Sequence, residues 1–249
     1  TDGSKWMVQG FVIQGRSGSL EAQLSFDGKA ELKGRIRSDL DLEGLVPWLG
    51  AGAKPFWESL ELRSPPQITL QVTGAGLSMD LIRLAGRVEV KDLTYKEVEM
   101  EELAGNVVLA GGQLTVQDLR VKSSGGEGAG EFVYSFAPEK VRFLGMRSTL
   151  PIREFSTVFG VKFQRTMEPY QFHGRPTVTL EGEVDLEEQG GSNLEATVLA
   201  PAGMRYRVAG KDLDFTGMEM LVEVKGRKVI VSTQKGKPAR VLGGQVEVQ

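Results

Sequence analysis

The chain has 249 residues, of which 30 are basic, 33 are acidic, one is histidine and none is cysteine. The missing cysteine excludes disulfides, thiolate zinc sites, iron–sulfur clusters and a cysteine nucleophile, and the single histidine excludes a multi-histidine metal site. Because the charges nearly balance, there is no basic field for nucleic acid, and no apolar run approaches the roughly 18–20 residues of a membrane helix. Hydrophobic residues make up 40% of the chain, which is typical of a folded protein, and the length allows one large all-β domain or two ordinary ones.

Apolar residues recur with a period of two along most of the chain, as in β-strands that have one buried face and one wet face. In chain order, strands are predicted around Ala22–Phe26, Ile68–Val72, Val88–Val90, Val107–Leu109, Leu114–Val116, Phe132–Phe136, Val178–Leu186, Met204–Val208 and Val229–Val231. Glycine turns about every ten residues, such as Asp27-Gly28 and Gly111-Gly112, indicate hairpins between these strands. The predicted fold class is therefore all-β, mainly strands in an antiparallel meander.

Helical pattern is confined to two short segments, 43–50 and 152–160. Both end in glycine, which suits a C-terminal cap. Both are too short to be stable alone, so we expect each to pack its apolar side on the sheet.

An internal repeat relates the two halves of the chain. Residues 32–50 resemble 142–160, and 66–70 resemble 176–180, both at an offset of 110. A further match, of 91–95 with 211–215, has an offset of 120 and suggests one inserted hairpin. We therefore expect trailing strands of a preceding repeat at 1–39, a first unit of short helix plus strands at 40–149, and a second such unit at 150–249. Such an array is expected to be a piece of a longer repeat protein.

Three segments carry a resemblance to a known family: 84–95, 103–121 and 128–132. In succession they follow a loose pattern: glycine, alternating apolar residues and Asp-Leu, as in Gly86-Arg87-Val88-Glu89-Val90 followed by Asp92-Leu93, then a glycine turn, a second run of spaced apolar residues and a second glycine turn. This pattern resembles the AsmA-like (TamB-like) family of bacterial envelope proteins. The resemblance covers most of the chain and is clearest over 80–136 and 141–248.

The resemblance implies a long, curved antiparallel sheet, built from repeating β-grooves with short helices between them. It implies a place in the periplasm of a diderm bacterium, with the full-length protein held in the inner membrane by an N-terminal anchor outside this sequence. It also implies a role in outer-membrane biogenesis, in which the apolar groove conducts phospholipid between the two membranes. The partners would be phospholipid acyl chains, the inner membrane and outer-membrane proteins. No enzyme activity, cofactor, metal or nucleic acid is implied.

The candidate groove residues are apolar positions on the predicted strands: Val88, Val90, Val107, Leu109, Val178, Leu180, Val184, Leu186, Met204, Tyr206, Val208, Val229 and Val231. An apolar sheet face that two short helices cannot cover must close on itself or meet another apolar partner. If the sheet is open, these residues line a lipid groove. If it closes into a sandwich or solenoid, they are core, and the protein is a structural or interaction scaffold for outer-membrane assembly.

Other motifs favour plain structural interpretations. The glycines of 125–130 precede a strand rather than a helix, so a hairpin is favoured over a phosphate loop. His173 lies in a loop without partner ligands or a serine motif, which favours a loop or rim position. Two acidic clusters are expected on the wet face rather than in a glycosidase cleft: Glu99, Glu101 and Glu102, and Asp185, Glu187 and Glu188. The aromatics of the helical segments either staple helix to sheet or gate the groove: Trp48, Phe56, Trp57, Phe155, Phe159 and Phe163.

Overall fold

A computed structural model of the chain describes residues 5–15, 18–28, 31–40, 58–76, 81–155, 157, 164–165, 167–185, 191–208, 210–226, 228–233, 239–241 and 244–246. Strands account for 76% of this described part and helices for 4%. The predicted all-β antiparallel class is therefore confirmed.

Six of the ten strands of the first half contain a predicted period-two segment, whereas the strands at 6–15, 32–38, 60–62 and 139–148 were not predicted. The ten strands are β1 Trp6–Gly15, β2 Gly18–Phe26, β3 Leu32–Ser38, β4 Leu60–Leu62, β5 Gln67–Gly74, β6 Ile82–Tyr95, β7 Val98–Ala110, β8 Gln113–Ser123, β9 Gly126–Phe136 and β10 Glu139–Ser148. The second half begins with the short helix α1 Ile152–Phe155. Its strands are β11 Tyr170–Phe172, β12 Thr177–Asp185, β13 Ser192–Ala200, β14 Met204–Val208, β15 Lys211–Thr216, β16 Met218–Gly226, β17 Lys228–Thr233, β18 Ala239–Val241 and β19 Gly244–Val246.

Hydrogen bonding joins most strands in the order β1-β2-β3-β5-β6-β7-β8-β9-β10-β12-β13-β16-β17, with β4 paired to β6. The remaining strands form a second sheet in the order β11-β14-β15-β18-β19. Sequence periodicity identifies strands but not their partners, so this second sheet is a feature that the meander prediction did not include.

The chain forms two compact units. Unit 1 comprises Thr1–Tyr95, Glu99–Val121 and Val133–Ala137, and unit 2 comprises Lys96–Val98, Lys122–Phe132 and Pro138–Gln249. The repeat boundaries expected at 40 and 150 were placed by sequence similarity, whereas these two units are defined by compactness. The repeat boundaries therefore stay a prediction.

Strand pairing in the two units repeats with the spacing seen in the sequence. The pair Gln67–Glu89 of β5 and β6 recurs as Thr177–Leu199 of β12 and β13, at the same offset as the sequence repeat. The pair Ile36–Leu70 of β3 and β5 recurs in the same way as Met146–Leu180 of β10 and β12. Because a one-residue slip would turn every side chain to the other face, this common register gives both units the same inward and outward positions.

Hydrogen bonds at the strand ends repeat as well. The Ser38 hydroxyl accepts the Leu40 N–H at 3.1 Å, and the Ser148 hydroxyl accepts the Leu150 N–H at the same distance. The Arg63 N–H donates to the Asp92 carbonyl at 2.9 Å, and the His173 N–H donates to the Gly203 carbonyl at 2.9 Å. The residues that form this second pair of hydrogen bonds differ between the two units. What the units share at this point is therefore the path of the backbone.

The match of 91–95 with 211–215 does not relate equivalent strands. Leu93 at the end of β6 pairs with Leu62, and its counterpart Met204 pairs with Phe172. Residues 211–215 instead belong to β15, which pairs with β14. The offset between equivalent residues grows by only one residue here, from 110 to 111. In unit 1, β6 continues through a kink at Asp92, which has a φ of 51°, whereas in unit 2 the turn at 201–203 separates β13 from β14.

Part of the helix prediction falls within the described residues. The segment 152–160 begins as α1, and Ile152 packs against the core of unit 2. Residue 156, residues 158–160 and the whole predicted helix 43–50 lie outside the described residues.

Glycine has a second role besides the turns expected from the sequence. Gly111 and Gly112 do form the β7–β8 turn, with φ of 56° and 72°. Gly182, however, lies inside β12 with a φ of 119°, and a Cβ there would collide with the Asn193 carbonyl oxygen of β13. Glycine at this position permits close approach of two backbones within the sheet.

Candidate functional site

The apolar face of unit 2 is built from rows of register positions that cross five strands, β10, β12, β13, β16 and β17. Residues opposite each other in an antiparallel pair share a face, so the register defines each row. Row 1 contains Ser148, Val178, Val198, Met220 and Thr233. Row 2 contains Met146, Leu180, Ala196, Val222 and Val231, and row 3 contains Phe143, Gly182, Leu194, Val224 and Val229.

The second sheet covers row 1. Val198 and Met220 of row 1 form a buried cluster with Met204 of β14 and Ala239 of β18, and Val178, Tyr170 and Phe215 pack against it. Tyr170 and Tyr206 stack with ring centroids 5.0 Å apart, and burial raises the pKa of Tyr170. This end of the face is therefore an ordinary two-layer core.

Rows 2 and 3 are less covered. Met146, Leu180, Ala196 and Val222 of row 2 are partly exposed, as are Phe143, Leu194 and Val224 of row 3. Val184, one step further along β12, is partly exposed too. The same strands thus carry a packed apolar core at one end and an accessible apolar surface next to it.

The opposite face of these strands is charged. Lys140 donates to Glu183 at 2.9 Å and lies 3.9 Å from Asp185, and Arg142 lies 3.5 Å from Glu183. The hydrogen bond from Lys140, together with the charge of Arg142, holds the pKa of Glu183 below its usual value. These ion pairs keep this end of the opposite face charged, so the apolar residues of rows 2 and 3 lie on the less polar side of β10 and β12.

Unit 1 also has an apolar face, across β1, β2, β3, β5 and β6, of which β3, β5 and β6 are equivalent to β10, β12 and β13. Its rows are Ile13, Leu20, Ser38, Ile68 and Val88; Phe11, Ala22, Ile36, Leu70 and Gly86; Val8, Leu24, Gly34, Val72 and Leu84; and Trp6, Phe26, Leu32, Gly74 and Ile82. Ala22, Leu32 and Val72 in the middle are buried, whereas Phe11 at the edge is 51% exposed. Exposure on this face therefore increases towards β1.

The candidate groove residues fall into three groups. Val178, Leu180 and Val184 lie on the unit 2 face, and Val88 lies on the unit 1 face opposite Ile68. Val90 is 7% exposed and therefore buried, and Met204 is 3% exposed within the core cluster that Tyr206 packs against. Val107 and Leu109 are partly exposed on β7.

The remaining candidates lie at or beyond the limit of the described part. Leu186 lies outside the described residues. Val229 and Val231 hold register positions in rows 3 and 2, opposite Val224 and Val222, and Val208 lies on β14. The side chains of these three valines lie outside what the structure describes.

Sequence reasoning missed most residues of each row. Met146, Leu194, Val222 and Val224 contribute to the accessible surface but were not candidates. The alternation of Met218, Met220, Val222 and Val224 was available as a signal for β16. Assigning Met146 to the same face required its pairing with Leu180 across the α1 segment.

His173 lies on the surface, in a small polar cluster. Its side chain is 43% exposed and Nε2 lies 3.3 Å from Asp214 Oδ1, which also accepts from Arg205 Nε at 3.0 Å. Hydrogen bonds from Arg205 and His173 hold the pKa of Asp214 below its usual value. Within the described part of the chain, no group of three or more His, Cys, Asp or Glu residues could hold a metal.

The glycine segment 125–130 confirms the hairpin prediction, because β8 ends at Ser123 and β9 begins at Gly126. Of the acidic clusters, Glu99 pairs with Arg63 at 2.7 Å, and Glu101 is exposed while Glu102 is partly exposed. Asp185 faces Lys140 as described above, whereas Glu187 and Glu188 lie outside the described residues.

The aromatic staple or gate also stays a prediction. Trp48, Phe56, Trp57, Phe159 and Phe163 lie outside the described residues, as does the side chain of Phe155. Among the residues that the structure describes, no helix has both the length and the apolar character needed to cross a membrane. In comparisons with known proteins, no family model, no curated protein and no solved structure matches the chain.

Proposed function

We propose that this chain is an acyl-chain-binding segment of an AsmA-like envelope protein, which conducts phospholipid along its apolar sheet face. One observation supports this proposal above the others: rows 2 and 3 of unit 2 align partly exposed apolar side chains across neighbouring strands. A continuous accessible apolar surface on a folded protein usually marks a binding site.

The dimensions and energetics of the face suit an acyl chain. Neighbouring strands lie about 4.8 Å apart, so a row across five strands extends over about 19 Å. One leaflet of a bilayer's hydrocarbon core is about 15 Å thick, so a row is long enough for one acyl chain. Each methylene removed from water contributes about 0.8 kcal/mol, and such contacts need no special residue spacing, which agrees with the lack of a sharp motif.

The resemblance to AsmA-like proteins extends the proposal to the cell. The protein would act in the periplasm of a diderm bacterium, anchored in the inner membrane by a segment outside this sequence. It would pass phospholipid towards the outer membrane and its proteins, with no catalytic step and no cofactor.

Site-specific photo-crosslinking tests the proposal directly. A photoreactive amino acid is placed at Leu180 or Val184 on the apolar face, or at Thr179 or Glu181 on the opposite face of the same strand. The protein is then incubated with vesicles of phosphatidylethanolamine and phosphatidylglycerol and irradiated. We expect phospholipid adducts at 180 and 184 but not at 179 and 181. Equal labelling of both faces, or none at 180 and 184, would contradict the proposal.

A charge substitution gives an independent test. Leu180→Asp puts a carboxylate among partly buried apolar side chains, where desolvation and lost apolar contact both oppose acyl binding. Native mass spectrometry after vesicle incubation should show at least a tenfold loss of bound phospholipid. Thr179→Asp, one residue away on the wet face, should bind lipid like the unchanged chain, and circular dichroism checks that both variants fold.

A structural scaffold is the second candidate, and the buried cluster around Met204 favours it. That cluster shows that one end of the apolar face is a closed core of the kind expected in a sandwich. If the scaffold role is correct, neither face captures lipid, and Leu180→Asp lowers the stability of unit 2 without changing any lipid signal.

A further inference from the structure

The polar face of unit 1 carries a concentration of positive charge. Its cations on strands β3 and β6 are Lys33, Arg35, Arg37, Arg83 and Arg87, and all of them are exposed. Strands β3, β5 and β6 are each hydrogen-bonded to a neighbour on both sides, so these charges lie on interior strands of the sheet. Because the charges of the whole chain nearly balance, this concentration arises from the fold.

The register arranges these cations in three rows across β3, β5 and β6. The rows are Lys33-Thr73-Arg83, Arg35-Gln71-Ala85 and Arg37-Thr69-Arg87. Strand β5, in the middle, supplies uncharged hydroxyl and amide groups that can also bond an anion. Neighbouring strands lie about 4.8 Å apart, so the backbone positions of the two cations in one row are about 10 Å apart. The cations are therefore distributed over a surface rather than gathered at one point.

Most of this charge is not neutralised by the protein itself. Within the described part of the chain, only two of the five cations have an ion-pair partner: Lys33 with Glu31 at 2.5 Å, and Arg87 with Glu89 at 3.8 Å. Glu21 of β2 lies opposite Arg37 in the register, but no ion pair joins them. Three exposed guanidinium groups therefore share this face without a carboxylate partner among the described residues, and the like charges repel each other.

The second repeat shows that the fold does not require this charge. At the equivalent positions of unit 2, the five cations are reduced to two, Arg142 and Arg147, and three carboxylates are added, Glu181, Glu183 and Glu195. Both units share one register, but only unit 1 has the basic face. The charge is therefore a property of the unit 1 sequence and calls for a reason other than sheet formation.

The spread of the cations favours a surface of many phosphates over a single anion. Arginine binds phosphate oxygens through two parallel N–H bonds, and clusters of about four to eight Lys and Arg residues attract anionic lipid surfaces. Successive cations along β3 are about 7 Å apart, because alternate residues of a strand share a face. A bilayer with anionic headgroups presents phosphates side by side in one plane, so each cation can meet a different phosphate.

We propose that the polar face of unit 1 docks on an anionic bilayer, with Lys33, Arg35, Arg37, Arg83 and Arg87 against the phosphates of separate lipid headgroups. This inference does not depend on acyl-chain binding. The docking face is opposite the apolar face of unit 1, so docking leaves that apolar face uncovered.

Vesicle flotation of the unchanged chain is the first test. Two kinds of vesicle with the same acyl chains are compared, phosphatidylcholine alone and phosphatidylcholine mixed with phosphatidylglycerol. We expect at least about tenfold tighter binding to the anionic vesicles. Added salt should weaken this binding, because the screening length falls from about 10 Å at 0.1 M to about 3 Å at 1 M. Acyl binding alone would give equal binding to both vesicles, and that result would overturn the proposal.

A triple variant tests which cations are responsible. Arg35→Gln, Arg37→Gln and Arg83→Gln together remove the three unpaired charges. Each cation at an anionic surface strengthens binding by about fivefold, so the triple variant should bind the phosphatidylglycerol vesicles about a hundredfold more weakly.

The matched control removes three exposed cations from the polar face of unit 2. Arg147→Gln, Lys225→Gln and Lys228→Gln give the same net charge as the first triple variant. This control should bind the anionic vesicles within about fivefold of the unchanged chain, the effect of a single cation. Equal losses in the two triple variants would assign the attraction to net charge and overturn the proposal.

A charge-retaining variant separates docking from folding. Arg35→Lys, Arg37→Lys and Arg83→Lys change the same side chains but keep the charge, so binding should stay within about fivefold of that of the unchanged chain. Circular dichroism checks that all the variants fold. A short DNA duplex serves as the competing polyanion, and tighter binding to the duplex than to the anionic vesicles at the same salt concentration would overturn docking on a bilayer.

Discussion

Met204 and Leu180 are both apolar strand residues of unit 2, but they differ in what surrounds them. Met204 is 3% exposed within the core cluster, whereas Leu180 is partly exposed in row 2. Met204→Ala should therefore lower the free energy of unfolding by about 2–5 kcal/mol. Leu180→Ala should lower it by about half as much, because water already reaches the side chain. Urea unfolding followed by circular dichroism measures both, and equal losses would mean that row 2 is also closed core.

Asp39 gives the stability of unit 1 a dependence on pH. Its Oδ1 accepts the Ser19 N–H at 2.6 Å and the Ser19 hydroxyl at 3.1 Å, and these bonds lower the pKa of Asp39 below its usual value of 3.8. Since the folded pKa is the lower one, the stabilisation is complete above pH 3.8 and disappears as the pH falls through the folded value. The urea midpoint of unit 1 should therefore fall with acid, and the three tryptophans, all within residues 1–95, report it by fluorescence.

The second repeat supplies the control for this experiment. Thr149 holds the position equivalent to Asp39, and its uncharged hydroxyl accepts the Glu127 N–H at 3.1 Å. Asp39→Thr should keep a hydrogen bond but remove the titrating group. Its midpoint should decline less steeply below pH 3.8 than that of the unchanged chain. An identical decline would assign the acid sensitivity to other carboxylates.

At the level of elements, Gly86 on β6 and Ala196 on β13 are equivalent positions with different tolerance of a methyl group. A Cβ at Gly86 would collide with the Thr69 carbonyl oxygen of β5. Gly86→Ala should force these strands apart and cost about 1–3 kcal/mol, with faster hydrogen exchange of the β5 amides. The reverse change, Ala196→Gly, should cost only about 0.5–1 kcal/mol through chain entropy. If Gly86→Ala were neutral, the close approach of β5 and β6 would not be a constraint.

About half of the strands, such as β5 and β12, were predicted from the sequence, because their residues alternate between one apolar and one polar face, whereas strands such as β1 and β13 were not predicted. The kinks could not be predicted, since they interrupt that alternation: at Asp92 and Asp118, with φ of 51° and 50°, two exposed residues separate buried ones. The pairing of β10 with β12 could not be predicted either, because α1 and β11 lie between these two strands in the chain. Local periodicity contains no information about such distant partners.

For the whole molecule, bound phospholipid should act as a stabilising ligand. A ligand that binds only the folded state stabilises it by about 2.7 kcal/mol at a hundredfold excess over its dissociation constant. Thermal unfolding with phosphatidylglycerol in mixed micelles should therefore occur at a higher temperature than in micelles alone. Leu180→Asp should lose at least part of the increase, and Thr179→Asp should retain it. An equal increase in both variants would mean that the lipid binds elsewhere.

The candidate site could be predicted only in part from the sequence. Leu180 and Val184 follow from alternation alone, because they share one face of a single strand. Whether a residue is core or surface depends on what covers it, and the second sheet that buries Met204 is assembled from β11, β14, β15, β18 and β19. Alternation predicts an inward-facing position for both Met204 and Leu180, so it could not distinguish the buried residue from the partly exposed one.

The common register of the two repeats has a consequence during folding, before either unit has formed. Because β3 and β10 present equivalent rows, β3 can in principle pair with β12 instead of β5. After β3 ends at Ser38, β5 is the second strand to follow and begins at Gln67, whereas β12 begins only at Thr177. Closing the longer loop costs about 1.4 kcal/mol more in chain entropy, which favours the local partner about tenfold. Chain connectivity therefore favours the correct partner of β3 even though the two repeats share one register.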